Sequence, residues 1–196
     1  MAIRGFSMCH QTIQNWTETF GIDVSLKLRK RRYAKTSSKI QVDATYIKVE
    51  GRWCYLYRAI DSKGHLVDVY LSDTRDTKAA EKFFEQMVTT TGINPKQITT
   101  DREPAFRAAI HNIFQQTVKQ KRAKYMNNII EQSHRGIKSR ARGMKGFKNP
   151  FSALIKCTTF EEIQQKLNPK RVIRAKRRRI VASNFQDLNN LLKIAA

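Results

Sequence analysis

The sequence predicts an α/β fold in which a mixed sheet is flanked by helices. Residues 39–72 hold three consecutive segments in which apolar and polar residues alternate, with many β-branched and aromatic side chains, as in half-buried strands. Two segments with apolar residues at helical spacing follow, and a short β-prone run lies between them. Strands that alternate with helices after a strand-rich start favour one mixed sheet with helices on both faces. The 196 residues are enough for one substantial domain with appendages.

The first three strands are predicted from their alternation and from one turn. The first begins near Lys39 and is interrupted by Asp43, a carboxylate inside an otherwise apolar strand. The second covers residues 52–61, where the aromatic residues Trp53, Tyr55 and Tyr57 alternate with Cys54, Leu56 and Arg58. Gly64 lies in the turn that leads into the third strand, over residues 65–72.

The following elements are predicted from helical spacing and from breakers. Residues 77–90 form a helix that ends at Gly92. A short strand over residues 97–100 stops at Asp101, and Pro104 suits the first turn of the next helix. Asp101 could instead simply cap that helix. We expect a further strand near residues 117–119 and then a helix that carries Glu131.

Residues before the first strand predict one amphipathic helix that starts after a Ser7 cap and ends at Gly21. Its polar side resembles the DNA-reading helix of a helix-turn-helix motif. The alternative is an ordinary surface helix docked on the core. The residues that we expect to face DNA are His10, Gln11, Gln14 and Asn15.

The charge balance predicts a polyanionic partner. The chain has 38 Lys and Arg against 16 Asp and Glu, which gives a net charge of +22. Basic residues are densest at Arg29, Lys30, Arg31 and Arg32 and again over residues 170–179. These runs are expected to contact phosphates, although solvated linkers would have the same composition. A basic RNA-binding protein and a membrane-surface protein are alternatives, but no apolar run is long enough to span a bilayer.

Three carboxylates in different segments fit two-metal phosphoryl-transfer chemistry. Asp43 lies within a strand, Asp101 at a strand end and Glu131 on a later helix, and hard divalent ions take such oxygen ligands. Arg135 and Lys138 follow Glu131 at i+4 and i+7, so that one helix face carries an acid and two cations. The alternative for this face is an exposed ladder of ion pairs. On the same helix, His134 could touch a phosphate or serve packing.

Several separate motifs carry a family resemblance. The matching segments are Val42-Asp43-Ala-Thr45-Tyr46-Ile-Lys48-Val-Glu-Gly51-Arg-Trp53, Tyr55-Leu-Tyr-Arg58-Ala-Ile-Asp61, Arg75-Asp76, Thr100-Asp101-Arg-Glu-Pro104 and Lys124-Tyr125-Met-Asn127-Asn128 through Glu131-Gln132, His134-Arg135 and Lys138. In these segments the chain resembles the bacterial insertion-sequence transposases with a DDE catalytic triad, most closely the insertion-sequence six family.

That resemblance implies a ribonuclease-H-like catalytic core that cleaves and joins DNA strands at transposon ends. It implies a site for two Mg²⁺ or Mn²⁺ ions, with Asp43, Asp101 and Glu131 as ligands and Lys138 near the DNA. The implied partners are double-stranded DNA, as transposon ends and as target, and further copies of the chain. The three cysteines are unpaired by parity and the sequence lacks a secretory signal, which indicates a reducing compartment. We therefore expect a bacterial cytoplasmic, nucleoid-associated protein.

The resemblance also predicts how the chain is organised. Residues 1–24 correspond to a partial helix-turn-helix that lacks its first helix, as in an N-terminally truncated element, and residues 25–38 to a basic linker. Residues 39–146 correspond to the catalytic core and residues 147–196 to a helical basic extension. The alternative function is a transposase that has lost catalysis and acts only as a DNA-binding protein. The missing helix favours this alternative, as does the segment 102–130 between Asp101 and Glu131, which is shorter than the family usually shows.

Overall fold

The computed structural model describes residues 9–33, 38–122, 128–143 and 145–167. The chain divides into two compact units, a sheet unit over Tyr33–Leu154 and a second unit formed by Met1–Arg32 with Ile155–Ala196; the described residues of the second unit are helical, and we call it the helical unit. The elements in chain order are α1 (His10–Tyr33), β1 (Lys39–Val49), β2 (Arg52–Asp61), β3 (Leu66–Ser72), α2 (Thr77–Thr91), β4 (Gln97–Thr100), α3 (Pro104–Phe114), β5 (Lys119–Arg122), α4 (Asn128–Gly143) and α5 (Pro150–Leu167).

The sheet is mixed, with the order β3-β2-β1-β4-β5. The first three strands are antiparallel neighbours, and β4 and β5 run parallel to β1. This topology confirms the predicted α/β class and the predicted order of strands and helices. The last strand lies at Lys119–Arg122 rather than at residues 117–119, because Thr117 still belongs to the turn that follows α3, where its N–H bonds the Phe114 carbonyl.

The core lies between the sheet and the two helices α2 and α3. Ile40, Val42 and Ala44 on β1 project to this side, as the period of two in a strand requires. The aromatic part of the core consists of Tyr57, Phe83, Phe84, Phe106 and Phe114. The odd-numbered β1 residues, Asp43 among them, consequently face the other side of the sheet, where α4 packs against β1.

Local signals explain where the α2 helix and the β2–β3 hairpin begin and end. The Asp76 carboxylate accepts a hydrogen bond from the Ala79 N–H at 2.8 Å and so caps α2, which stops at Gly92 in the left-handed conformation, φ 63°. The hairpin turn needs the same freedom at Gly64, φ 79°. Both elements match their predicted bounds to within one residue.

The helix α1 is longer than predicted. It passes through Gly21 and ends at Tyr33, so the expected helix end at Gly21 is wrong, and residues 25–33, expected in a basic linker, are helical. Gly21 lies inside the helix because α5 passes close by: a Cβ at this position would lie 2.8 Å from Thr159 Oγ1. The α5 helix lies within the predicted helical extension over residues 147–196. None of the helices in the described part of the chain is long and apolar enough to cross a membrane.

Candidate active site

Asp43 and Asp101 lie just beyond the point where the β1–β4 ladder stops. This ladder pairs Gln41 with Thr99 last, and each aspartate follows its strand's last residue in the ladder by two positions. Asp43 lies within β1, Asp101 directly follows β4, and the two strands are parallel, so continuing the register places Asp43 across from Asp101. The register of the ladder therefore brings two of the three predicted carboxylates side by side.

The Asp101 carboxylate is held by an arginine from another segment. Arg75 Nη2 lies 3.3 Å from Asp101 Oδ2 and 2.7 Å from Glu103 Oε2, so one guanidinium bridges both acids. The other carboxylate oxygen, Oδ1, accepts a hydrogen bond from the Glu103 N–H at 3.1 Å. The helix α3 begins at Pro104 with Glu103 at its N-cap position, so Asp101 is not the cap of that helix.

The helix α4 packs against β1. Its apolar stripe includes Ile130 and Ile137, which are both buried. His134 lies between them in sequence, and its Nε2 is 3.5 Å from Asp43 Oδ2. Glu131 precedes His134 by three residues on the same helix, which places the two on one helix face. The Glu131 side chain lies outside the described residues, so its distances to the aspartates and the ion-pair alternative stay as predictions.

His134 is buried and neutral. Burial, together with the positive charges of Arg58 and Lys138, lowers the pKa of its imidazole to about 2. The contact with Asp43 is therefore not an ion pair, and neither ring nitrogen has a hydrogen-bond partner in the described part of the chain. A neutral, buried ring at this distance restricts where the Asp43 carboxylate can lie. The side chain of Asp43 remains 16% exposed.

Arg58 is a charged neighbour of Asp43 that the sequence did not single out as functional. It lies opposite Asp43 in the β1–β2 ladder, so both side chains project from the same face of the sheet. Its side chain is completely buried, which is rare for arginine and requires compensating partners. One sequence signal could have identified Arg58: it is a charged residue in an otherwise apolar strand, as Asp43 is in the neighbouring strand.

Arg75 was also missed as a functional residue, although it belongs to a matching motif. It lies between β3 and α2, remote in sequence from Asp101, and only the fold brings its guanidinium to that carboxylate. A single arginine next to a helix cap carries no local signal of such a role.

The two predicted cations of α4 are exposed. Arg135 is solvent-exposed, and Lys138 places its ammonium 4.8 Å from the centre of the Tyr46 ring. The ammonium thus makes a cation–π contact with a β1 aromatic. Both cations lie on the same helix as His134, which contacts Asp43, so this helix carries exposed positive charge.

The residues predicted to face DNA on α1 belong to the helical unit and not to this site. Gln11 and Asn15 are exposed and bonded to each other at 2.9 Å, and Gln14 is half-buried. His10 is the first residue of α1, and Arg29, Lys30, Arg31 and Arg32 are in its last turns; these five side chains lie outside the described residues, as do residues 170–179.

The carboxylate oxygens at the end of the β1–β4 ladder suit a hard divalent cation. Asp43 and Asp101 offer carboxylate oxygens, which Mg²⁺ and Mn²⁺ prefer. The described residues, which do not include the Glu131 side chain, contain no group of three His, Cys, Asp or Glu that could hold a metal. The two aspartates therefore form an incomplete ligand set that a third carboxylate from α4 would complete.

Comparison with known proteins agrees with this arrangement. Residues 37–170 match the family model DDE_Tnp_IS240, described as a DDE domain. The transposase for insertion sequence-like element IS431mec of Staphylococcus aureus is 35% identical over 142 residues, which cover 70% of this chain and 62% of that protein. The transposase of IS257 in transposon Tn4003, also from Staphylococcus aureus, matches to the same extent. The chain thus spans 62% of the length of these curated relatives.

The fold resembles that of retroviral integrase cores. The catalytic core domain of HTLV-2 integrase superposes with a TM-score of 0.51 at 18% identity, covering 74% of this chain and 97% of that one. The core domain of BIV integrase gives a TM-score of 0.50 at 17% identity, covering 71% and 88%. These likenesses confirm the ribonuclease-H-like fold. With its DDE domain match and its similarity to the IS431mec and IS257 transposases, the chain belongs to the DDE transposases of the insertion-sequence six family.

Proposed function

We propose that this chain carries the catalytic part of a transposase that cleaves and joins DNA strands at insertion-sequence ends by metal-dependent phosphoryl transfer. The observation that carries the proposal is the parallel register that sets Asp43 beside Asp101, with α4 against the same strand. Asp43, Asp101 and Glu131 are the proposed metal ligands and catalytic residues. Two bound Mg²⁺ or Mn²⁺ ions would activate the attacking oxygen and stabilise the leaving oxygen.

The chain's own residues have distinct roles in this proposal. Lys138 and Arg135 hold DNA phosphates beside the aspartates, where opposite charge favours binding. His134 limits the orientations of the Asp43 carboxylate from a distance of 3.5 Å. Arg75 balances the charge of Asp101 and Glu103 while the carboxylates have no other cation.

The proposal extends to partners and place. Double-stranded DNA, both as transposon end and as target, is the proposed substrate, and the excess of 38 basic over 16 acidic residues supports it. The HTLV-2 integrase core was solved with magnesium in a trimeric and a dimeric form, which supports Mg²⁺ and a homo-oligomer here. We place the protein in the bacterial cytoplasm with the nucleoid. We further propose that residues 1–24 are a DNA-reading part, residues 39–146 the catalytic core and residues 147–196 a basic extension.

Thermal melts and DNA nicking test the catalytic proposal. A metal that binds only the folded chain stabilises it by RT ln(1 + [L]/Kd), about 2.7 kcal/mol at a hundred times Kd. We expect Mg²⁺ or Mn²⁺ to raise the melting temperature and to support nicking of supercoiled DNA. Asp43→Asn should remove most of both effects, whereas Asp23→Asn on α1 should keep them. A variant Asp43→Asn that nicks as well as the wild type would refute the site assignment.

One contact supports a second candidate function, DNA binding without catalysis. Arg75 already neutralises Asp101 at 3.3 Å, which is an arrangement that a protein without metal would also need. The segment 102–130 between Asp101 and Glu131, which is short by the resemblance described above, points the same way. Under this alternative the wild type binds DNA but shows neither a metal-dependent melting shift nor nicking.

A further inference from the structure

Two exposed aromatic side chains lie together at the end of the β1–β2 hairpin. Tyr46 is 55% exposed and Trp53 is 60% exposed, and their rings meet edge to face with centroids 5.2 Å apart. Large aromatics are usually buried for the hydrophobic energy that they gain. Both project from the face of the sheet that carries the core, since Tyr46 continues the series of Val42 and Ala44, yet both are exposed to solvent.

The surroundings of this pair are cationic. Lys48 is exposed and lies opposite Trp53 in the ladder, and the Lys138 ammonium lies 4.8 Å from the Tyr46 ring centre. Glu50 is the one acidic side chain that the described contacts place nearby, and Arg52 pairs with it at 3.3 Å. Aromatic faces beside lysines suit a ligand that combines a flat ring with negative charge.

Lys138 connects this pair with the candidate active site. Its charge helps to lower the pKa of His134 on the α4 side of β1, while its ammonium contacts Tyr46 on the other side. Lys138 can reach Tyr46 because β4 pairs with β1 only over Lys39–Gln41. Beyond Gln41, the middle of this side of β1 has no neighbouring strand in the described part of the chain. Tyr46 follows Asp43 by three residues, about 10 Å along the strand, or about three nucleotide rises.

We infer that Tyr46 and Trp53 form a stacking platform for an unpaired DNA base close to the cleaved phosphate. This inference rests on the proposed function, because it assumes that the bound DNA strand has its cleaved phosphate at Asp43. Unpaired bases stack on aromatic side chains whatever their sequence, while bases inside a duplex have no free face. The platform thus binds frayed DNA ends in preference to blunt ones.

Tryptophan fluorescence tests the platform directly, because the chain has only two tryptophans. In the variant Trp16→Phe, Trp53 is the single reporter. We expect frayed duplexes with two to four unpaired nucleotides to quench it several times more than blunt duplexes of equal length at the same salt. Replacing the stacked base by an abasic site, scanned over the four nucleotides next to the end, should abolish the extra quenching at one position or more.

Matched variants separate stacking from a structural role. Trp53→Phe leaves Trp16 as the reporter, whose emission should not distinguish frayed from blunt ends. Trp53→Ala should weaken binding to frayed ends by about five- to a hundredfold and binding to blunt duplex by less than twofold. Equal quenching by frayed and blunt ends, no abasic effect, or equal loss of both affinities would overturn the platform and leave the ring pair as a cross-strand contact.

The two proposals fail in different experiments. Asp43→Asn in the Trp16→Phe background should lose nicking and the metal-dependent melting shift but keep the quenching by frayed ends. If the wild-type site shows no metal response and the quenching persists, catalysis is refuted and the platform remains. If nicking occurs without any quenching of Trp53, the platform is refuted and catalysis remains.

Discussion

The guanidinium of Arg75 lies 3.3 Å from the carboxylate of Asp101, so a cation from the β3–α2 connection already neutralises a proposed metal ligand. The same guanidinium is 2.7 Å from Glu103. Each of these side chains is about one third exposed, so solvent weakens the interaction. A divalent ion that enters the site has to compete with Arg75 for Asp101.

Replacing Arg75 should therefore strengthen metal binding. In Arg75→Gln, two acids lose their shared cation, so the metal-free protein should be destabilised by about 1 kcal/mol or less. The Mg²⁺ or Mn²⁺ concentration at half of the maximal melting shift should fall, because the local negative charge has increased. Titrations of melting temperature against metal measure both effects. Arg102→Gln, an exposed neighbour, is the control, and a weaker metal response in Arg75→Gln would contradict the competition.

DNA binding should depend strongly on salt. With a net charge of +22, several lysines and arginines release counterions from DNA, and log K falls by about 0.9 per log unit of salt for each phosphate neutralised. Arg135→Gln and Lys138→Gln should each reduce this slope by about 0.9. Lys82→Gln, exposed on α2, should not. Fluorescence anisotropy of labelled duplex at several salt concentrations measures the slopes. An affinity that does not change with salt concentration would exclude an interface based on phosphate contacts.

Asp61, at the β2–β3 hairpin, should make the folding stability depend on pH in the acidic range. Burial raises the pKa of its carboxyl, but hydrogen bonds from the His65 side chain and backbone and from the Lys63 N–H outweigh it, so the pKa lies below the usual 3.8. Since the folded pKa is lowered, this stabilisation is complete above the unfolded value and is lost as pH falls through the folded pKa.

The variant Asp61→Asn tests that dependence. At pH 7 it should lower the free energy of unfolding by about 1–3 kcal/mol, because the hydrogen-bond acceptor is no longer charged. The difference from wild type should shrink below about pH 4. Denaturant unfolding at pH 7 and at pH 3 measures it. Glu85→Gln, at an exposed position, should show no such change, and a difference for Asp61→Asn that is constant with pH would count against the assignment.

Any side chain at position 146, in place of Gly146, should destabilise the fold. The φ of Gly146 is 97°, and an added Cβ would lie 3.0 Å from the Lys48 carbonyl oxygen. The segment cannot move away easily, because the Phe147 N–H bonds the same carbonyl at 2.8 Å. Gly146→Ala should cost about 1–3 kcal/mol, whereas Gly51→Ala, at φ 78° in open space, carries only the backbone strain. Equal melting temperatures for the two variants would contradict the steric part.

Gly21 should be needed for the approach of α1 and α5. Alanine favours helices by about 1 kcal/mol over glycine, yet a Cβ here would lie 2.8 Å from Thr159 Oγ1 and 3.1 Å from Ile155 Cγ2. Gly21→Ala should therefore destabilise the chain, and Thr159→Ala in the same protein should restore part of the loss. Gly143→Ala, which meets nothing within 4 Å, should be neutral or stabilising in the same thermal melts.

Locally encoded features of this fold could be predicted from the sequence. The alternation in residues 39–72 and the turn at Gly64 gave the antiparallel hairpins, because each signal acts over a few neighbouring residues. The helix start at Pro104 follows from the chemistry of proline, which suits the first turn of a helix. The approach of Asp43 and Asp101 was expected from metal chemistry, and the register explains it.

Features that depend on tertiary contacts could not be predicted. Gly21 looked like a helix end, because the helix α5 that requires a glycine there lies far away in sequence. The complete burial of Arg58 did not follow from its own strand alone, because its position across from Asp43 depends on the pairing of β1 with β2. Arg75 and His134 reach their carboxylates through the fold alone, and no spacing along the chain encodes a distance of 3.3 or 3.5 Å.

The ladder between β1 and β4 makes the placement of the two aspartates a property of the main chain. A slip of one residue would turn every β4 side chain to the opposite face, and Asp101 with them. Side chains along these strands can therefore drift during evolution as long as the backbone hydrogen bonds persist. An insertion or deletion in the turn before β4 threatens the site more than most substitutions within it.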